Sequence, residues 1–286
     1  MKRLLLLLLV TETAIAGELS WNLTLSTTLS ETINTPEEDA RYFESFFQLD
    51  RFPQEESPTR WSLREDYRSF HQPKIDNHEP ASNGDAHALS LRWFAHFSQW
   101  QIELAPTIAT SSNVLVHPDE MKLEDWQLHG SLLRSDTGPA AGQWQWGVIA
   151  DSRFGRYLPY PSVQWQKNVG NTQIGLGLPN SDIAWRFRSD WSVGLEVGPD
   201  GGFWHVRDKN FRQSSDLSQK RWNASLYLQW SPPYLQWSPV RLASFRLGLN
   251  HYWRQEWKYQ LDDGQSTYLS IPDLDTLQFS LFLSSW

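Results

Sequence analysis

The chain contains no cysteine, which excludes disulfide frameworks, thiolate nucleophiles and cysteine-ligated metals. It has no Lys/Arg-rich block. With a formal charge of −8 over 286 residues it lacks the electrostatic footprint of a nucleic-acid binder. Beyond the first ten residues no apolar run approaches the roughly 20 that a spanning helix needs. Against these absences stands an excess of 17 tryptophans.

The N-terminus has the three parts of a secretory signal. Lys2 and Arg3 form a charged region, Leu4 to Val10 an apolar one, and Ala14-Ile15-Ala16 a small-x-small cleavage site. The expected mature chain begins at Gly17, and since that residue is not cysteine no lipid anchor is expected.

Downstream, the dominant pattern is strict alternation. In "QWQWGVIA" (143–150), Trp144, Trp146, Val148 and Ala150 share one face of a strand, and Gln143 and Gln145 lie on the other. "EDWQLHGSLLR" (124–134) sets Trp126, Leu128 and Leu132 against Gln127, His129 and Ser131. The same period runs through 86–97, 171–179, 221–230 and 244–252, with no convincing helical segment. One face wants an apolar medium and the other a polar one. A soluble sandwich also alternates, but here tryptophans mark strand ends: Trp222 and Trp230 bracket one strand, and Trp93 and Trp100 flank a turn. Aromatic girdles at the two interfaces of a membrane produce that placement. Long and short connections alternate, with 71–85 and 111–123 long and 53–58 and 98–100 short. The expectation is an all-β fold: one closed antiparallel transmembrane barrel of residues 17–286. It would have about 12 strands, within a range of roughly 10 to 14, and both termini on the periplasmic side. The count rises to about 14 if the short strands between 160 and 198 stay separate and 203–207 is a small strand within an external loop. The C-terminal "DTLQFSLFLSSW" ends on an aromatic residue, but Leu277, Phe279, Leu281 and Leu283 lie on the parity opposite Trp286.

The segments "YLPYPSVQWQ" (157–166), "NTQIGLGLPNSDIAWRF" (171–187) and "WSVGLEVGPDGGFWHV" (191–206) resemble a bacterial outer-membrane β-barrel family, the domain of unknown function numbered 6268. The likeness lies in a proline-containing strand start, a "GLGLP" run into an Ile-x-Trp-x-Phe strand, and a Gly-Gly-x-Trp hairpin. The flanking strands fit loosely and residues 17–80 least. The resemblance implies a barrel in the cell outer membrane and no reaction.

Lipid-active barrel hydrolases carry a His-x-Ser pair on one strand, where residues two apart share a face. Two such pairs occur, His96/Ser98 and His129/Ser131. Both are expected to point into the lumen, away from any acyl chain, so neither is expected to be catalytic. Arg153, Arg156, Arg186, Arg188, Arg207, Arg212 and Arg246 are read as members of an interior arginine–acid network, with contacts to lipid A phosphates as the alternative. "PEEDAR" (36–41) and Asp262-Asp263 are read as solvated loop tips rather than cation sites, and "GPDGG" (198–202) as a turn. No catalytic, cofactor or metal residues are assigned. The reading is therefore a non-enzymatic outer-membrane barrel: a narrow channel, a structural protein or a surface-interaction platform. The alternative is a lipid-modifying enzyme of the phospholipase or deacylase type using a His-x-Ser pair. Expected partners are membrane lipid, lipopolysaccharide and, during biogenesis, the outer-membrane assembly machinery.

Overall fold

The computed structural model describes residues 20–28, 31–34, 39–52, 59–71, 85–138, 142–207, 214–232, 236–237, 240–261, 264 and 266–285. The candidate signal peptide, Trp286 and Asp262-Asp263 lie outside them. In chain order the strands are β1 (Ser20–Thr28), β2 (Glu31–Asn34), β3 (Asp39–Phe52), β4 (Thr59–His71), β5 (Asp85–Phe97) and β6 (Trp100–Ser111). Then come β7 (Trp126–Gly138), β8 (Gly142–Asp151), β9 (Leu158–Val169), β10 (Thr172–Leu178), β11 (Ser181–Arg186) and β12 (Trp191–Pro199). The last are β13 (Gly202–Arg207), β14 (Ser214–Trp230), β15 (Gln236–Trp237), β16 (Val240–Leu261), β17 (Ser266–Ile271) and β18 (Leu274–Ser285). A closed antiparallel ring of 14 strands runs β1, β3 to β12, β14, β16 and β18, and β18 pairs back onto β1. β2 and β17 extend the places of β1 and β18 beside β3 and β16.

The count of 14 stands slightly above the expected 12, at the upper end of the expected range. The run between 158 and 199 does not merge, because tight turns at 170–171 and 179–180 and the bend at 187–190 keep β9 to β12 as four separate strands. A correction falls on the connection after β6. It holds a five-residue helix, α1 (Ser112–Val116), and two short 3-10 turns at Pro118–Glu120 and Leu123–Asp125, where no helix was expected. These turns are too short to show a helical period in the sequence.

The alternation sorts side chains as read. Trp144 and Trp146 face outward and are 48% and 42% exposed, whereas the Gln145 amide turns inward to Gln101 Oε1 at 3.3 Å. Register aligns the apolar parity around the ring. One row runs Ile174, Ile183, Leu195, Leu226, Leu249 and Leu277 across six strands. Five of these six are exposed large apolar side chains. A contiguous apolar belt of this extent is the mark of a surface that contacts another apolar body, a protein or a membrane. Tryptophans bound it. Trp61, Trp100, Trp144, Trp146 and Trp185 are exposed toward the end that carries the termini, and Trp126 toward the other. On β14 the bracketing Trp222 and Trp230 stack across the register on Trp253 and Trp191 at 6.3 and 6.1 Å. Their separation of eight residues spans about 27 Å along a strand, which tilt reduces to about 20 Å of belt height. In β18 the odd parity faces out, and Phe282 faces in beneath the Arg246 guanidinium, 5.7 Å from its ring. Pairing with β1 stays regular to Ser284. No bulge therefore rescues the C-terminal parity among the described residues.

At the end opposite the termini the ring narrows. β7 to β12 stop short there, and β13 continues upward from β12 along the edge of β14. Its far edge meets β6 in one parallel pairing, His205 opposite Thr110. At that level one strand replaces six. The ring approaches the roughly eight-strand size whose interior side chains can fill. They do fill it. Trp204 and Trp257 stack at 6.5 Å, surrounded by Val206, Leu217, Ile271 and Leu274, and the small Ala86 and Ala109 of β5 and β6 leave room for the indoles. The inward turn of Trp257 has a local cause. Arg254 adopts φ 53°, and the register between β14 and β16 slips there. One extra residue reverses the parity of β16. Below it Leu247 and Leu249 face out; above it Trp257 and Tyr259 face in.

Candidate functional site

Beneath this cap the wider ring encloses polar space. A cavity of about 390 Å³ is bordered by β4 to β8 and closed above by Trp204. A second, of about 220 Å³, lies against β1, β3, β14 and β16. They share Arg64, Asp66, Arg68 and Asp200, so they are two bays of one chamber.

Charge in the chamber is paired. On β4 the inward positions read Arg60, Ser62, Arg64, Asp66 and Arg68. Arg64 binds Asp66 at 2.8 Å, Arg92 binds Glu103 at 2.7 Å, Arg153 binds Asp151 at 2.7 Å and Arg246 binds Glu196 at 2.9 Å. Guanidinium groups also lie over inward rings, Arg246 over Tyr227 at 3.8 Å and Arg60 over Phe94 at 4.4 Å. Tyr227 reaches its place because Gly194 lies under it; a Cβ there would stand 2.3 Å from the ring.

The hub of the chamber is Asp200. Its carboxylate accepts from Arg68 at 3.0 Å and from Arg221, and its carbonyl accepts from Arg221 Nε at 2.8 Å. Arg221, whose side chain is fully buried, also donates to Glu44 at 2.6 Å. A guanidinium so placed depends on these carboxylates, because an uncompensated buried charge costs several kcal/mol. The "GPDGG" stretch is accordingly not a hairpin. β12 and β13 both run antiparallel to β14, and the chain only bends between them. Gly201 and Gly202 permit the bend: a Cβ would meet the Gln219 carbonyl at 2.2 Å at the first and the Trp204 ring at 2.1 Å at the second.

The seam between β13 and β6 is sealed by polar groups. Arg207 is buried and pairs with the fully buried Asp125 at 3.0 Å, and it also donates to the Glu120 carbonyl. Thr110 donates to the His205 carbonyl at 2.8 Å, and Gln127 to the Phe203 carbonyl at 2.9 Å. The α1 connection thus supplies the counter-ion that holds the bridging strand.

His129 and Ser131 line the larger bay, as the parity required. The imidazole Nε2 pairs with Gln127 Oε1 at 2.8 Å, and its ring stacks on Tyr157 at 5.8 Å. His96 and Ser98 depart from expectation. They lie exposed at the β5–β6 turn, where Ser98 has φ 56°, and line neither bay. Of the singled-out arginines, Arg153, Arg207 and Arg246 join ion pairs, whereas Arg156, Arg186 and Arg188 are exposed rather than interior. Arg212 and residues 36–38 lie outside the described residues. Among the described residues no three His, Asp or Glu side chains are grouped to hold a metal. The sequence reading missed Arg64, Arg68, Arg92 and Arg221, which organise the chamber. For Arg64 and Arg68 the signal was present in "TRWSLREDYRSF", where Arg60, Arg64, Asp66 and Arg68 occupy one parity and Trp61, Leu63 and Tyr67, with Glu65 among them, the other.

No family model matches the chain, and no curated protein matches it. Among solved structures it is similar to OpdK from Pseudomonas aeruginosa, crystallised with vanillate, at 9% identity, with 94% of this chain and 98% of that chain covered and a TM-score of 0.31. OccK2 (OpdF) from the same organism is similar at 10% identity, 94% and 98% coverage and a TM-score of 0.31. A BenF-like porin from Pseudomonas fluorescens Pf-5 gives 11% identity, 94% and 98% coverage and a TM-score of 0.29. Scores this low describe loose overlap and assign neither family nor activity.

Proposed function

We propose that this chain is an integral protein of a bacterial outer membrane, a narrow channel held shut at its external end, with no chemistry carried out in its lumen. The carrying observation is the pairing of an outward apolar belt with an inward, charge-paired chamber that ends at the Trp204–Trp257 stack. In this reading the termini face the periplasm and the α1 connection and β13 face outside. Residues 1–16 are a cleaved signal peptide and 17–286 the barrel. Membrane lipid and lipopolysaccharide surround the belt, and the assembly machinery inserts the chain. The resemblance to the domain of unknown function 6268 fits here: residues 157–206 form the short wall strands and the bridging strand, the part of the barrel that makes the step.

The test is fractionation with heat-modifiable gel mobility, followed by planar-bilayer recording on refolded protein. The expected outcome is an outer-membrane protein beginning at Gly17, with small, rare conductances that grow when Trp204 is replaced by alanine. Recovery as a soluble periplasmic monomer contradicts the membrane assignment. Large, steady conductance of the unaltered protein contradicts the shut end.

A further inference from the structure

A third histidine–serine arrangement lies outside the lumen. His87 of β5 sits on the outward parity, two positions before Leu89. Its Nδ1 lies 3.0 Å from Glu65 Oε1 of β4 and its Nε2 lies 2.8 Å from the Ser112 hydroxyl at the start of α1. An ionised carboxylate only accepts, so Nδ1 carries the proton. In the neutral ring Nε2 is then an acceptor, and Ser112 is the donor. This is the geometry of an activated nucleophile: hydroxyl, base, and a carboxylate that fixes the tautomer. Tyr67 packs its ring 4.9 Å from the imidazole and holds it in place. The His87 side chain is largely covered, whereas that of Glu65 is 40% exposed and Ser112 is half-buried.

Position supplies the substrate class. By register Glu65 stands opposite Leu89, Leu89 opposite Ile108, and Ile108 opposite Trp126. That row is the upper edge of the apolar belt, and His87 and Ser112 lie one step beyond it. In a membrane this is the depth at which acyl chains give way to headgroups, where lipid ester carbonyls are found.

We propose that Glu65, His87 and Ser112 form an acyl-ester hydrolase site for membrane lipids on the outer face of the barrel. The lipid assignment rests on the membrane reading above; the triad itself does not. Such a site runs against the expectation, drawn from the sequence, that the chain is no enzyme. The Ser112 oxygen bonds to the ester carbonyl carbon while its proton passes to His87 Nε2. The carbon–oxygen bond to the alcohol then breaks, and the alcohol leaves with that proton. Water attacks the acyl-serine, giving a proton to Nε2. The acid is released as Ser112 regains its proton, so the sum is ester plus water to acid plus alcohol.

The experiment uses the full chain refolded in detergent, with folding checked by heat-modifiable mobility. A fluorophosphonate probe should label wild type and Ser98→Ala but not Ser112→Ala, and should label His87→Ala far more slowly. Hydrolysis of phosphatidylcholine in mixed micelles should fall roughly 10²–10⁴-fold in His87→Ala and at least about tenfold in Glu65→Gln. No labelling of a folded, heat-modifiable wild-type barrel overturns the triad. Labelling at Ser112 with turnover of p-nitrophenyl butyrate but none of phosphatidylcholine keeps the triad and overturns the lipid substrate. Failure of the protein to fractionate with membranes would show itself separately and would not abolish labelling.

Discussion

The two ends of this barrel use the same period-two alphabet in opposite senses. In the 14-stranded part, Leu226, Leu249 and Leu277 point out and Ser225, Asn250 and Gln278 point in. In the capped part, Trp204, Leu217 and Trp257 point in. Ring size explains the difference. A wide ring cannot be filled by its own side chains, so its interior must be polar and hydrated; a narrow ring can be filled, so its interior can be a dry core. On β16 the change of sense is made by a bulge at Arg254; on β14, whose parity is unbroken, it is made by composition, Leu217 and Ser225 both pointing in.

Removing the counter-ion that holds the seam should break the cap hardest. Asp125→Ala leaves Arg207 buried without its carboxylate, and the expected loss is about 3–5 kcal/mol. Denaturant unfolding in lipid vesicles measures it, and bilayer conductance should rise in the same variant. A loss below about 1 kcal/mol would mean that the seam does not hold β13.

Parity in the wide part comes next. Leu226→Arg should cost about 2–4 kcal/mol of barrel stability, and Ser225→Arg, one residue away but facing the chamber, much less. Leu176→Arg should behave like Leu226→Arg. Equal costs at both parities would make the belt one face of a two-sided core.

Smaller still is an ion pair at the rim. Arg134 and Asp136 are 3.2 Å apart with more than a third of each side chain exposed, so Asp136→Asn should leave the unfolding midpoint close to that of the unaltered protein in the same assay. No effect at all is expected on the lumenal side, in contrast to the outer face. His129→Ala and Ser131→Ala should leave lysophospholipid and free fatty acid in the membrane unchanged, whereas Ser112→Ala should lower them. A drop in either product on replacing Ser131 would place the chemistry on the lumenal side.

Much of the wall was legible because alternation and burial are the same fact in a strand. Trp144, Trp146, Leu132 and Leu228 declare their face from spacing alone. The inward placement of His129 followed from its neighbours Leu128 and Trp126 in the same way. The short strands between 158 and 199 were less legible, since a strand of six residues offers few repeats and turn chemistry alone decides whether it merges with the next.

The sequence by itself determined that this chain builds a β wall with one apolar and one polar face, because that requires only the local geometry of extended backbone. Tertiary structure decided three things. It chose the number of strands, which depends on where the ring closes. It chose which face of β16 is inside at each level, which one bulge reverses. And it brought Glu65, His87 and Ser112 to hydrogen-bonding distance, although 22 and 25 positions separate them in the chain, because only lateral strand pairing converts distant positions into neighbours.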